Sequence, residues 1–424
     1  MGKSRIQIVI WLCVSGLTVT GCIGGSDENT TPNALIVEEP VHYTGSLARE
    51  PMIVEHPSGT LFVTGYNNKS VSPQLWRSEN GGATWEPVNV GTPAEGADGD
   101  SCVDLAIGPD GTIYFMAMEY GPKTQDDSTG SMEGKHIAVG VSHDVGMTWS
   151  WTYLSQDRGD DRPWVRVAQD GKAHAIWNDG KGVSHAISSD GGRTWDEQER
   201  IHPRGLSSHL AIGPNGEVAV RITPISASGK QYDEGLDLIA VSTDGGQTWQ
   251  EHTPPGTREW DPTLNDPDKI PRWVEPIAWD KKGALYYLWS EGRDLWLGRS
   301  EDKGNTWKSW VVARDDDRVF FPYLVANGSS ELAFTWFSGR DDSLRAHVAR
   351  IEMPAGDDGE TPHVRESEPL QLDIWSSNSP PTRSTGGEYI PVIFLSDGSL
   401  GVVTPIQNRH EGRLGFTWWR IIGN

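Results

Sequence analysis

Cysteine, positive charge and long apolar runs are all scarce in this chain. Of the 3 cysteines, Cys13 and Cys22 sit at the N-terminus, which leaves Cys102 alone in the body of the chain. An internal disulfide and a cysteine metal site are thereby excluded, and Cys102 reads as a small buried residue. Lys+Arg total 36 against 59 for Asp+Glu, a formal net charge of -23. That balance excludes nucleic acid as a partner and excludes an electrostatic hold on anionic lipid. An anionic ligand would need a local cluster of arginines inside a repelling field. No HExxH, no G-x-S-x-G elbow and no phosphate loop is present, and the 12 histidines are scattered without metal-like pairing. No cofactor is expected beyond a structural calcium ion in one of the acid runs QDDSTG (125–130), DRGDD (157–161) or ARDDD (313–317).

No segment carries a long helical apolar period. The chain has instead Gly 49, Pro 27 and Trp 20, with strand-like runs such as LFVTGY, TIYFMAM, EVAVRI and ELAFTW. The N-terminus reads as an export signal, residues 1–21. Lys3 and Arg5 precede an apolar run from Ile6 to Val19, about 14 residues where a membrane span needs roughly 20. Val19-Thr20-Gly21-Cys22 resembles a bacterial lipobox, which implies lipidation of Cys22, export, and anchoring of the chain to a bacterial envelope membrane. Residues 22–33 form a polar tether, and residues 34–424 form the folded domain.

Two repeats interleave through that domain. One is an octapeptide, S-x-[DN]-x-G-x-T-W, in five copies: SENGGATW (78–85), SHDVGMTW (142–149), SSDGGRTW (188–195), STDGGQTW (242–249) and SEDKGNTW (300–307). The other is an apolar strand, a tight turn and a second apolar strand, from IVEHPSGTLFV to VIFLSDGSLGVV, in seven copies. A single four-stranded sheet cannot cover both of its faces, whereas sheets packed around an axis do so. The expectation is an all-β, seven-bladed β-propeller, with six blades as the alternative. Each blade would run as strands A to D, with the octapeptide turning C into D. The last blade lacks its own strand D, and residues 34–45 are available to supply it and close the ring. Within the octapeptide, Ser and Asp or Asn can bond turn amides, Gly permits positive φ, and Trp fills space between blades. The octapeptide therefore reads as a staple of the fold. It resembles the Asp box of sialidases and several other propeller families.

The octapeptide and the A–B hairpins lie on one face, so ligand chemistry is expected on the other, where strands A start and strands B end. Arg49, Arg162, Arg272, Arg318, Glu275 and Tyr389 belong to starts of strand A; Tyr66, Glu119, Trp177, Trp289 and Trp336 belong to ends of strand B. Here the chain is similar to bacterial sialidases. Arg49-Glu50-Pro51 stands where that family has Tyr-Arg-Ile-Pro. Tyr389 precedes Asp397-Gly398 as the family tyrosine precedes its turn, and Glu275 opens a middle-blade strand A. The resemblance implies an exo-glycosidase acting on terminal acidic sugars. Tyr389 would be the nucleophile and Glu275 its base, with Arg49, Arg293 and Arg340 (or Arg345) gripping the sugar carboxylate and Trp289 and Trp336 walling the pocket. Two features depart from the family. The first B–C loop, GYNNKSVSPQLW, carries Asn67 and Asn68 and no aspartate as general acid, with Asp100, Glu119 and Asp161 as substitutes; and the blade count is seven against six. The alternative reading is a non-catalytic propeller that binds a glycan or a protein partner during envelope assembly.

Overall fold

The computed structural model describes residues 34–122, 132–223, 236–256, 274–328, 330–339, 344–354, 361–374 and 386–423. Residues 1–33, with the export signal, Cys22 and the tether, lie outside the described residues, as do Arg272, Arg340 and the run 125–130. Seven antiparallel sheets follow one another along the chain, so the ring has seven blades. The A strands are Arg49–Glu55, Val103–Ile107, Asp160–Val167, Leu206–Ile212, Ile277–Trp279, Val319–Asn327 and Val392–Phe394. Each A strand touches the next, and that of blade 7 touches that of blade 1, so the ring closes. The B strands include Leu61–Tyr66 and Val218–Thr223, buried along their whole length. Unbroken apolar runs are what a strand covered on both faces requires.

Blade 7 takes its outer strand from the start of the domain. Ile36 pairs with Ile422, and Val41 to Thr44 pair with Trp418 to Gly415. Tyr43 stacks on Phe416 at 5.1 Å and lies 5.7 Å from Trp76 of blade 1. Closure thus ties the first segment, the last strand and blade 1 into one aromatic cluster.

The five octapeptides form the same turn. The Ser hydroxyl accepts the Gly N–H at 2.7–2.9 Å. The Asp or Asn side chain accepts the Thr N–H at 2.8–2.9 Å. These bonds hold the Asp144, Asp190, Asp244 and Asp302 carboxyls below the usual carboxylate range, the Thr hydroxyl contributing most. The Gly sits at positive φ and against the preceding blade. A Cβ on Gly82 would fall 2.0 Å from Trp418 Nε1, and one on Gly246 2.6 Å from His185 Cε1. Trp85, Trp195 and Trp249 pack their indoles on the preceding blade, against Trp418, Tyr114 and His185. The octapeptide is a staple between blades.

Candidate functional site

Three A strands begin with the same irregularity. Pairing with strand B is interrupted between Arg49 and Met52, between Asp161 and Trp164, and between Phe320 and Tyr323. In each gap a residue at positive φ precedes a proline: Glu50 (φ 45), Arg162 (φ 50) and Phe321 (φ 50). Proline has no N–H for the ladder and is tolerated at a bulge, and the bulge re-aims the side chain before it. A non-glycine residue at positive φ before proline is strained backbone of the kind found at sites. The sequence signal is a short one, R-E-P, D-R-P and F-F-P at the start of a strand.

The bulges bring charges from blades 1, 2, 3 and 7 together. The Arg49 guanidinium lies over the Tyr66 ring at 5.8 Å and its Nε is 3.8 Å from Glu50. Among the described residues that buried Nε has no hydrogen-bond partner. Tyr66, then Glu50 and Glu388, raise the Arg49 pKa against its burial. Arg162 reaches Glu388 at 2.7 Å. Asp161 accepts the Tyr120 hydroxyl at 3.1 Å and the Arg162 N–H at 2.9 Å. Burial, then the Glu388 charge, pushes the Glu50 carboxyl up to about 7, against the pull of Arg49 and Arg162. Cys102 is a free thiol beside this group, pushed up by burial and by Asp161 and Glu50.

Tyr389 lies beneath, 6% exposed. Its ring is 6.0 Å from both Trp164 and Tyr323. Burial first, and then Glu50, raises its hydroxyl well above the usual phenol range. Arg166 donates to Asp104 at 2.6 Å and lies over Trp164, so a second guanidinium–carboxylate pair supports this floor. His209 packs 4.7 Å from Trp164 and 5.2 Å from Tyr323, and burial pushes it down to about 3.

Arg49 and Tyr389 therefore share a mouth: Glu50 pairs with Arg49 and adds to burial in raising the pKa of Tyr389, which follows Glu388 directly in the chain. The other expected residues lie elsewhere. Glu275, 1% exposed, pairs with Arg221 at 2.7 Å and accepts the Tyr287 hydroxyl; Asp237 is the second carboxylate on Arg221. These partners belong to blades 4 and 5, whereas the partners of Tyr389 come from blades 1, 2, 3 and 6. Arg293 is surface-exposed and pairs with Asp316, and Arg345 pairs with Asp315. Trp289, 1% exposed, stacks on Tyr287 and Trp296; Trp336, 2% exposed, stacks on Phe334 and His347. Both indoles are buried within their blades and offer no open wall for a sugar. Asn67 and Asn68 follow Tyr66, the ring beneath Arg49, and the first B–C loop does hold an acid, brought in from the next connection. The Asp100 carboxylate accepts N–H groups from Asn67 and Ser70 and from the Gln74 amide at 3.1–3.4 Å. Burial pushes it up to about 6, but it is 0% exposed and anchors the loop. Glu388, Arg166 and Tyr120 carry no local signal in the sequence, because their partners lie in other blades.

Among the described residues no group of three or more His, Cys, Asp or Glu is placed to hold a metal ion, and no helix is long and apolar enough to cross a membrane. A cavity of about 530 Å³ opens at the hairpin end, lined by Val167, Ile212, Trp279, Lys281 and Asn327. It lies away from the grouped charges, so the mouth is the candidate site.

A family model described as BNR/Asp-box repeat matches residues 240–251, the fourth octapeptide. No curated protein sequence matches the chain. Among solved structures it is similar to a fungal alcohol oxidase of the AA5 family in complex with copper (12% identity, 91% of this chain and 76% of that one, TM-score 0.54). It is also similar to a protein of unknown function from Dyadobacter fermentans DSM 18053 (12%, 93% and 98%, TM-score 0.51). A Hadza microbial sialidase, Hz136, matches at 19% identity and TM-score 0.44 over 69% of this chain, which spans 63% of the sialidase. At such identities likeness of structure speaks of fold alone. Sheet order and closure make the chain a seven-bladed β-propeller, and the octapeptide that matches the BNR/Asp-box repeat is one of its five stapled turns.

Proposed function

We propose that the protein is a sialidase-like exo-glycosidase that removes terminal acidic sugars from glycans, held at a bacterial envelope through a lipid on Cys22. The observation that carries the reading is the grouping of Tyr389, Glu50 and Arg49 at one mouth. In this arrangement Arg49, whose side chain is 30% exposed, receives the sugar carboxylate on its guanidinium. Tyr389 attacks the anomeric carbon while Glu50, in place of Glu275, takes the phenol proton. The glycosidic bond breaks with its electron pair on the leaving oxygen, and water then hydrolyses the glycosyl–tyrosine bond. A neutral tyrosine suits an anomeric centre that already bears a carboxylate, where a carboxylate nucleophile would be repelled. Burial keeps Tyr389 protonated in the free protein, so proton transfer accompanies attack.

A second reading has its own observation. Asn67 and Asn68 stand in the first B–C loop and cannot donate a leaving-group proton, and Asp100 there is enclosed. A propeller that binds a glycan or a protein partner without cleaving it also fits this mouth. Incubation of the purified protein with a fluorogenic sialoside and a panel of other glycosides separates the two. Turnover that is lost in Tyr389→Phe supports the enzyme. Retained binding on a glycan array with no turnover of any glycoside replaces it with the binding module.

A further inference from the structure

The mouth is spanned by one ion pair. Arg162 and Glu388 meet at 2.7 Å with side chains 13% and 16% exposed. Arg162 belongs to blade 3 and Glu388 leads into blade 7, which stand on opposite sides of a seven-membered ring, so the pair crosses the opening. Both partners are presented by constrained backbone. Arg162 sits at φ 50 before Pro163. Glu388 follows Gly387, where a Cβ would fall 2.4 Å from Glu50 Cγ and 2.9 Å from Glu50 N. The Glu50 N–H donates to the Gly386 carbonyl at 3.1 Å, seating this segment on blade 1.

The arrangement has an electrostatic cost. Glu388 neutralises Arg162 but faces Glu50, a second buried carboxyl, and Asp161 is on the same side. Burying carboxylates so close together is unfavourable unless a cation is shared among them. What Glu388 offers Arg162 is the group that an acidic sugar carries. An anion entering beside an intact Arg162–Glu388 pair adds charge next to Glu50 and Asp161 and is refused. An anion that displaces Glu388 exchanges one carboxylate for another, leaving Arg162 neutralised and Glu388 free to turn to water. A neutral sugar has nothing to exchange.

We propose that Glu388 is an internal carboxylate that occupies Arg162 in the empty mouth and yields it to the carboxylate of an acidic sugar, so that Glu388 sets the selectivity for anionic over neutral ligands. This rests on the reading of the mouth as a site for acidic glycans. It adds Arg162 as a second arginine that receives the carboxylate alongside Arg49, and the residue that guards it.

The test is calorimetric titration of the full chain with N-acetylneuraminic acid and with its methyl ester. Glu388→Gln should bind the free acid about tenfold more tightly than the wild type, the effect of one charge-assisted hydrogen bond no longer competed for, with the ester unchanged. Glu388→Asp, which keeps the charge but shortens the reach, should gain less. Unchanged or weakened acid binding in both folded variants, with wild-type binding that Arg49→Ala abolishes, overturns the proposal and leaves the functional reading standing. If neither the wild type nor any variant binds acid or ester, both fall.

Discussion

Glu50 donates its backbone N–H to the Gly386 carbonyl at 3.1 Å, joining the first and last blades at the point where two mouth carboxyls face each other. The side chain of Glu50 makes this junction sensitive to pH. Its carboxyl is pushed from 4.5 up to about 7 by burial and by Glu388. Between those values the folded state holds a proton that the unfolded state has lost, so stability falls as pH rises through the window. Glu50→Gln removes this contribution. The variant should gain about 2 kcal/mol relative to the wild type between pH 5 and pH 8, since a tenfold change in proton affinity is worth about 1.4 kcal/mol. Thermal denaturation of both proteins at the two pH values measures it; equal differences at both would place the Glu50 proton elsewhere.

The histidine pair in blade 3 has the opposite sign. His174 Nδ1 and His185 Nε2 are 3.1 Å apart, and burial pushes the rings down to about 4 and about 3. From pH 6.5 downward the unfolded state gains protons that the folded state refuses, so this seam loses stability on acidification. Hydrogen exchange at about pH 7 and about pH 4.5 should show protection falling at blades 3 and 4 before it falls at blade 7.

The staple role of the octapeptide makes a simple demand of its second glycine. Gly246 sits at φ +88, with His185 Cε1 2.6 Å from where a Cβ would be. Gly246→Ala should cost about 2 kcal/mol or more, from positive-φ strain and a forced shift of His185. The melting temperature reports it, and ligand binding at the opposite mouth should be unaffected in the folded fraction. A neutral result would remove the octapeptide from inter-blade packing.

Trp289 separates core from site. Stacked on Tyr287 and Trp296 and 1% exposed, it should behave as a core aromatic, with Trp289→Ala costing about 3–5 kcal/mol. Trp289→Phe should restore most of the stability and leave ligand affinity unaltered. A selective loss of affinity in Trp289→Phe would return the residue to the pocket.

The loop bearing Asn67 and Asn68 sets a limit on chemistry. With no exposed carboxylic acid in that loop to protonate the leaving oxygen, turnover should depend on how well the leaving group departs unaided. Aryl sialosides should be cleaved at least about 100-fold faster relative to natural linkages than a glycosidase with an acid catalyst achieves, since general acid catalysis contributes about 10²–10⁴. Asn67→Asp and Asn68→Asp, assayed on both substrate types, show whether restoring an acid narrows the gap.

What the sequence alone determined is the part held by short-range chemistry. The octapeptide's bonds join residues two to four positions apart, and the hairpins turn within a few residues, so the repeat, the blade count and the closing segment at 34–45 can be read directly from the chain. Asn67 and Asn68 were legible for the same reason, since a missing group needs no partner to be seen. The tertiary structure alone decided which charges meet. Arg49, Arg162 and Arg293 look alike as strand-end arginines. Only the bulges at Glu50 and Arg162, and the arrival of Glu388 from the opposite side of the ring, place the first two at one mouth, while Arg293 is left on the surface with Asp316. Glu275 and Trp289 carried equally good local signals and proved to be committed to partners within blades 4 and 5. The physical reason is that a propeller builds its blades from neighbours in sequence and its axis from segments far apart, and electrostatic partnership depends on distance in space.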